Sequence, residues 1–168
     1  SVPQKGVITP EALFNAAKTY TDEDTVIVTD VGQHQMWAAQ FFPLAAPRRF
    51  ITSGGLGTMG YGLPAALGAK VGCPKCKVVL FTGDGSILMN CQEFSTLHRY
   101  AVEVKVIVLQ NGVLGMVNQW QRLFYGGRQA ASVINDFPDM AKVARAMDVP
   151  SFTAASPDDL KQGLDQLF

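Results

Sequence analysis

Long apolar runs are missing from this sequence: none reaches the ~18 residues that a membrane span needs. The chain opens Ser1-Val2-Pro3-Gln4-Lys5, without the charged start and apolar stretch of a secretory leader. Charge of one sign is missing too. Fourteen Lys and Arg offset fourteen Asp and Glu, so a basic nucleic-acid surface is not expected. Charged residues make up only 17% and hydrophobic ones 48%, which excludes a disordered or solvating tail. Three cysteines, an odd count, are too few for a secreted disulfide framework and favour a reducing cytoplasm. Repeats and low-complexity segments are absent as well. What is present suits one domain of 168 residues, able to bury roughly 70% of its unfolded surface. Sixteen Gly, six Met and ten Phe with so little charge leave surface suited to meeting other protein.

Apolar runs alternate with helical patterns, the signature of an α/β fold: an open, mostly parallel sheet with helices on both faces. Strands are expected at Val26–Thr29, Arg49–Thr52, Lys77–Thr82 and Val104–Leu109, with a short one at Ser151–Thr153. The run Lys77–Thr82 is apolar on both faces and reads as central. Thr9 is placed to cap a first helix, with Pro10 in its first turn. Further helices are expected through Met36, Trp37 and Phe41 (ended by Pro43), and over Thr58–Val71, Leu88–Tyr100, Gly115–Phe124, Met140–Ala146 and Asp158–Leu167. Ligands of such sheets bind beyond the carboxyl ends of the strands. That rule puts polar chemistry at Asp30–His34, Ser53–Met59, Gly83–Ser86 and Asn111–Gly115.

Gly55-Leu56-Gly57-Thr58-Met59-Gly60 matches the G-x-G-x-x-G dinucleotide pattern. A lone match is weak and the strand before it is poor, so a tight strand-to-helix turn is the preferred reading of the glycines. Gly83-Asp84-Gly85-Ser86 with Asn111, 27 positions beyond Asp84, says more. Two strand ends each offer one hard oxygen, a carboxylate and an amide carbonyl. Mg²⁺ joins such ligands to a diphosphate. Either half alone reads as a helix cap or a turn; the pair reads as a metal–diphosphate site. Cys73-Pro74-Lys75-Cys76 has C-x-x-C spacing, but structural zinc wants four ligands. A surface turn before the central strand is the expectation there.

G-D-G followed by a distant Asn resembles the thiamine-diphosphate motif. Three longer runs resemble the catalytic subunit of acetolactate (acetohydroxyacid) synthase: Asp30–Trp37, Phe50–Ala66, and Leu114–Tyr125 with its Met116-Val117-Asn118-Gln119-Trp120-Gln121 core. The resemblance spans nearly the whole chain. It implies the diphosphate-binding domain of a three-domain subunit, residues 1–168 being a single domain cut from it and shortened at the C-terminus. Asp84, the Asn111 side chain and the Val113 carbonyl are then implied as Mg²⁺ ligands. Gln33, His34, Gly57, Met59, Gly83, Asp84, Gly85, Ser86, Asn111, Gly115 and Met116 are implied as cofactor-binding residues. Within that set Met59 supports the bent cofactor, while Met116 and Trp120 shape the substrate pocket.

By the same resemblance, the subunit decarboxylates pyruvate and joins the two-carbon unit to a second 2-oxoacid, in branched-chain amino-acid biosynthesis. FAD belongs to the full enzyme and is held mostly outside this chain. Implied partners are the absent N-terminal and middle domains, a second copy in a homodimer, and a regulatory subunit. Nucleic acid and membrane are not among them. The enzyme is expected in the cytoplasm, or in an organelle if the source is a plant or fungus. Rival assignments are another thiamine-diphosphate carboligase, a 2-oxoacid decarboxylase, or a non-catalytic cofactor-binding module.

Departures from the family pattern count as well. Gln110 stands where the first of two Asn is usual, although the metal ligand is the second. The family's proton-relay Glu lies on the N-terminal domain, so no catalytic residue is expected here among Glu11, Glu23, Glu93 and Glu103. Beyond Leu167-Phe168 the family usually continues into a closing strand.

Overall fold

A computed structural model describes residues 6–42, 46–134 and 136–168. The opening Ser1–Lys5 and Pro43, expected to end a helix, lie outside them. The elements are α1 (Pro10–Lys18), β1 (Val26–Thr29), α2 (Gln33–Phe41), β2 (Phe50–Ile51), α3 (Gly62–Gly72), β3 (Val78–Gly83), α4 (Asp84–Ile87), α5 (Glu93–Arg99), β4 (Lys105–Leu109), α6 (Gly115–Phe124), α7 (Met140–Ala146) and α8 (Pro157–Leu167). All strand pairs are parallel, in the order β2-β1-β3-β4. Every strand therefore ends at the same edge, and each connection crosses a face of the sheet. Among the described residues no helix is long and apolar enough to cross a membrane.

Every residue of β3 is buried, as its two-faced apolar run requires. Strand alternation sends Val78 and Leu80 to one face, where they meet Leu63 and Ala66 of α3, Phe94 and Leu97 of α5, and Met140 and Ala144 of α7. Val79 and Phe81 go to the other, against Phe14 and Ala17 of α1, Ala38 of α2 and Leu164 of α8. The Phe81 ring lies 4.5 Å from that of Phe14 and 6.0 Å from that of Phe42. Burying a side chain of this size contributes about 1.5–3 kcal/mol. Three helix starts are closed as their sequences dictate. Thr9 Oγ1 accepts from the Ala12 N–H, Asp139 from Ala141 and Lys142, and Ser156 forms a capping box with Asp159.

Four expectations are corrected. The helix expected from Thr58 starts at Gly62, because the Gly60 and Gly62 N–H groups both donate to the Asp30 carboxylate. The helix expected over Leu88–Tyr100 begins as a 3-10 turn at Leu88–Asn90, which follows α4, and becomes α-helical only at α5. In that turn, Asn90 Nδ2 donates to the Gly60 carbonyl at 2.7 Å. No strand forms at Ser151–Thr153; the Ser151 carbonyl and hydroxyl bond instead to Arg145 and the Ala141 carbonyl. The second strand shrinks to Phe50–Ile51. β4 has β3 as its one partner among the described residues. Its other side opens on an apolar groove of about 890 Å³, walled across by Val149–Ala155 and α8.

Candidate functional site

The carboxyl edge holds a cleft of about 100 Å³. Its walls come from the turn into α2, from Met59, from the β3–α4 junction, and from the loop between β4 and α6. Gln33, His34, Met59, Gly83, Asp84, Gly85, Ser86, Asn111, Val113, Gly115 and Met116 all line it. The residues named for cofactor and metal, from four separate stretches of sequence, are thus brought together. Two named residues are not among its lining. Gly57 is in an exposed turn, φ +70°, its N–H donating to the Ser53 carbonyl at 3.1 Å. Trp120 is 58% exposed and rests edge-on against Phe124.

Asp84 is almost fully buried. Its Oδ1 accepts from the Gly85 N–H at 2.8 Å, and its Oδ2 from the Asn111 and Gly112 N–H groups at 3.0 and 2.8 Å. One carboxylate therefore ties the end of β3 to the loop leaving β4. Asn111 Oδ1 accepts from the Val113 N–H at 3.1 Å, turning the loop, and Gly112 supplies the positive φ of +69° that this turn requires. A short antiparallel contact braces the loop from outside: the Leu114 N–H donates to the Ser132 carbonyl, and the Ile134 N–H to the Gly112 carbonyl.

Space in the cleft depends on glycine. A Cβ on Gly85 would stand 2.7 Å from Leu114 Cδ2, and one on Gly115 would overlap the Gln33 side chain. Gln33 is held by its Nε2 donating to Gln119 Oε1 at 2.9 Å. Ser86 points its hydroxyl away to the Val31 carbonyl at 3.0 Å.

Two features mark the cleft as a ligand site. α2 and α6, which begin at the cleft, have no side-chain cap and no acid in the first turn. Their first N–H groups and dipoles remain available, unlike those of α1, α7 and α8. In addition, His34 Nε2 is buried with no hydrogen-bond partner. Burial drives the His34 pKa down to about 4, with hydrogen bonding to the Asp30 backbone opposing it. The ring is therefore neutral at neutral pH, and its orphaned nitrogen belongs to a site that something polar completes. Asp84, Asn111 and Val113 line the same cleft, and a carboxylate, an amide oxygen and a backbone carbonyl are donors of the kind a hard cation takes.

Asp30, expected among the polar chemistry of this edge, is a brace. It is fully buried and accepts from the Val31, Gly60 and Gly62 N–H groups. Desolvation raises its pKa against those hydrogen bonds. The G-x-G-x-x-G run is accordingly a turn, with Leu56 exposed and Gly60 at φ +86°. Sequence reasoning also missed buried Asn118 and Ser132, which bond across from α6 to the bracing segment. The signal available for Asp30 was its place at a strand end followed by a glycine-rich turn. None was available for Ser132.

Comparison with known proteins agrees with this geometry. Residues 30–168 match the family described as thiamine pyrophosphate enzyme, C-terminal TPP binding domain. The acetolactate synthase large subunit of Haemophilus influenzae is 47% identical over 163 residues, covering 97% of this chain and 28% of that protein. The isozyme 3 large subunit of Escherichia coli is 46% identical over 159 residues, and the large subunit of Lactococcus lactis 44% over 163. In both of these, 95% of this chain and 28% of the relative are covered. The chain thus spans between a quarter and a third of the length of these relatives. It belongs to the thiamine pyrophosphate enzymes, as their C-terminal TPP-binding domain.

Proposed function

We propose that this chain holds the diphosphate of thiamine diphosphate and its Mg²⁺ as one domain of an acetolactate synthase large subunit. The reaction assigned to the whole subunit decarboxylates pyruvate and joins the two-carbon unit to a second 2-oxoacid. The observation that carries the reading is the cleft, where buried Asp84 and the orphaned His34 Nε2 meet the uncapped starts of α2 and α6. When bound, the cofactor supplies the electron sink for decarboxylation.

The chain's own residues bind and position. The Asp84 carboxylate, Asn111 Oδ1 and the Val113 carbonyl would hold Mg²⁺. Asn111 Oδ1 keeps a lone pair beyond the one taken by the Val113 N–H. Gln33, His34, Gly83, Gly85, Ser86 and Gly115 would face the diphosphate, with Gly57 in the turn that carries Met59. An anion there favours the protonated His34 ring and gives Nε2 a proton to donate. Met59 would support the bent cofactor, with Met116 and Trp120 on the substrate side. FAD would lie mostly on other domains. Calorimetric titration with thiamine diphosphate tests the reading. Binding is expected with Mg²⁺ present and lost on chelation with EDTA. A folded chain that takes no cofactor with Mg²⁺, or takes it equally in EDTA, overturns it.

The exposed face of α6 supports a partner. Trp120, Leu123 and Phe124 are 58, 65 and 70% exposed, while Asn118 is the helix's one buried residue. Apolar patches beyond a few hundred Å² rarely stay bare on a soluble monomer. In the intact protein another domain or the second subunit of a homodimer would cover them. For the isolated chain, sedimentation velocity should show concentration-dependent dimers that Phe124→Glu disperses. A strict monomer at every concentration contradicts this assignment.

A further inference from the structure

The C-x-x-C turn lies at the amino edge of the sheet, opposite the cleft, between the end of α3 and the start of β3. Cys73 closes α3, its N–H donating to the Ala69 carbonyl. The Cys76 N–H returns to the Cys73 carbonyl at 3.0 Å. The two sulfurs are bonded, with Cα atoms 5.4 Å apart, within the ~4.4–6.8 Å that a disulfide spans. Their surroundings differ. Cys73 is partly exposed, whereas Cys76 is 5% exposed. Arg49 Nη1 donates to Cys76 Sγ at 3.3 Å, and Asp24 holds the same guanidinium at 2.7 Å. Lys70 Nζ donates to the Cys76 carbonyl at 2.8 Å. Cys73 is thus the more accessible of the two, and Cys76 is shielded beside the Arg49 guanidinium. Only two ligands stand here for a metal, and no group of three or more His, Cys, Asp or Glu able to hold one occurs among the described residues.

We propose that Cys73 and Cys76 form a reversible dithiol–disulfide site that exchanges with low-molecular-weight disulfides and thiols. Cys73, the more accessible of the two, attacks as thiolate one sulfur of a disulfide RSSR. The RSSR bond breaks, one RS⁻ leaves, and a mixed disulfide forms on Cys73. The Cys76 thiolate, its charge balanced by Arg49, then attacks the Cys73 sulfur and expels the second RS⁻. The protein thiols lose two electrons and two protons, and RSSR becomes two RSH. Reduction runs the same steps backwards. The site stands apart from the cofactor cleft and does not rest on the function proposed for it. Cys91, the free cysteine, serves as an internal reference.

The test equilibrates the 168-residue chain in buffers of graded oxidised-to-reduced glutathione, quenches with acid, alkylates, and measures intact mass. Three alkylated thiols are expected in reducing buffer and one in oxidising buffer, with two lost together. Cys76→Ser should stop halfway, trapping one glutathione that peptide mapping places on Cys73. Arg49→Gln should slow disulfide formation several-fold, with circular dichroism reporting an intact fold. Three alkylated thiols in every buffer, one in every buffer, or glutathione trapped on Cys91 overturns the proposal. Formation at the wild-type rate in Arg49→Gln overturns the role given to Arg49.

Discussion

Supplied with thiamine diphosphate, Mg²⁺ and pyruvate, the 168-residue chain by itself is expected to make acetolactate no faster than the cofactor free in solution. Family resemblance assigns proton relay to a Glu outside this chain. Glu11 and Glu23 are exposed. Glu93 accepts from the Thr96 hydroxyl at 2.8 Å, and Glu103 pairs with Lys105 at 2.7 Å. None of the four lines the cleft. A positioned general acid or base contributes about 10²–10⁴-fold, and misplaced reacting groups cost about 10²-fold more. Together the losses amount to about 10⁴–10⁶-fold against an intact enzyme. A colorimetric acetolactate assay on purified chain measures this. Adding the remaining domains in trans should recover part of the rate. Turnover matching an intact synthase from this chain alone would sink the division of labour proposed here.

Asp84→Asn should weaken Mg²⁺-dependent cofactor binding by ~100-fold or more, since loss of a mere supporting partner of a metal ligand already costs ~10–100-fold. Asn is the informative change because Asp84 also has a structural duty. With its amide oxygen in place of Oδ2, Asn still accepts from the Asn111 and Gly112 N–H groups and loses one bond, to Gly85. Ala would leave all three N–H groups without their acceptor, at about 1–3 kcal/mol for each that stays buried and unsatisfied. Asp84→Ala is therefore expected to lower the melting temperature together with binding. Thermal melts and calorimetric titrations on both variants separate the two duties. Wild-type affinity in Asp84→Asn would remove Asp84 from the metal site.

Much of this architecture could be read directly from residue patterns. Thr9-Pro10 predicts the start of α1, and the two-faced apolar run Lys77–Thr82 predicts a central strand, because caps and strand burial are local in their sequence signals. Gly-Asp-Gly and Asn111 could be joined as one site because both stand at ends of parallel strands, which topology forces onto one edge. The misplaced helix starts have a common cause. Thr58–Gly60 and Leu88–Asn90 carry helix-compatible sequences, but the Gly60 N–H is taken by Asp30 and the Asn90 side chain donates to the Gly60 carbonyl across the chain. Such long-range hydrogen bonds leave no periodic trace.

The sequence by itself determined the α/β class, the parallel sheet, the edge on which polar chemistry gathers, and the family to which the chain belongs. The first three follow from hydrophobic periodicity, from glycine and capping residues, and from motif spacing; the family follows from the resemblance of whole runs of residues. Tertiary structure alone decided that Asp30 braces while Asp84 faces the cleft. Both are buried acids at strand ends, and only the third dimension shows which neighbours donate to them. It also decided that Trp120 stands exposed on α6 and that Cys73 and Cys76 meet beside Arg49. Exposure and charge pairing depend on what packs alongside, and distance along the chain carries no record of that.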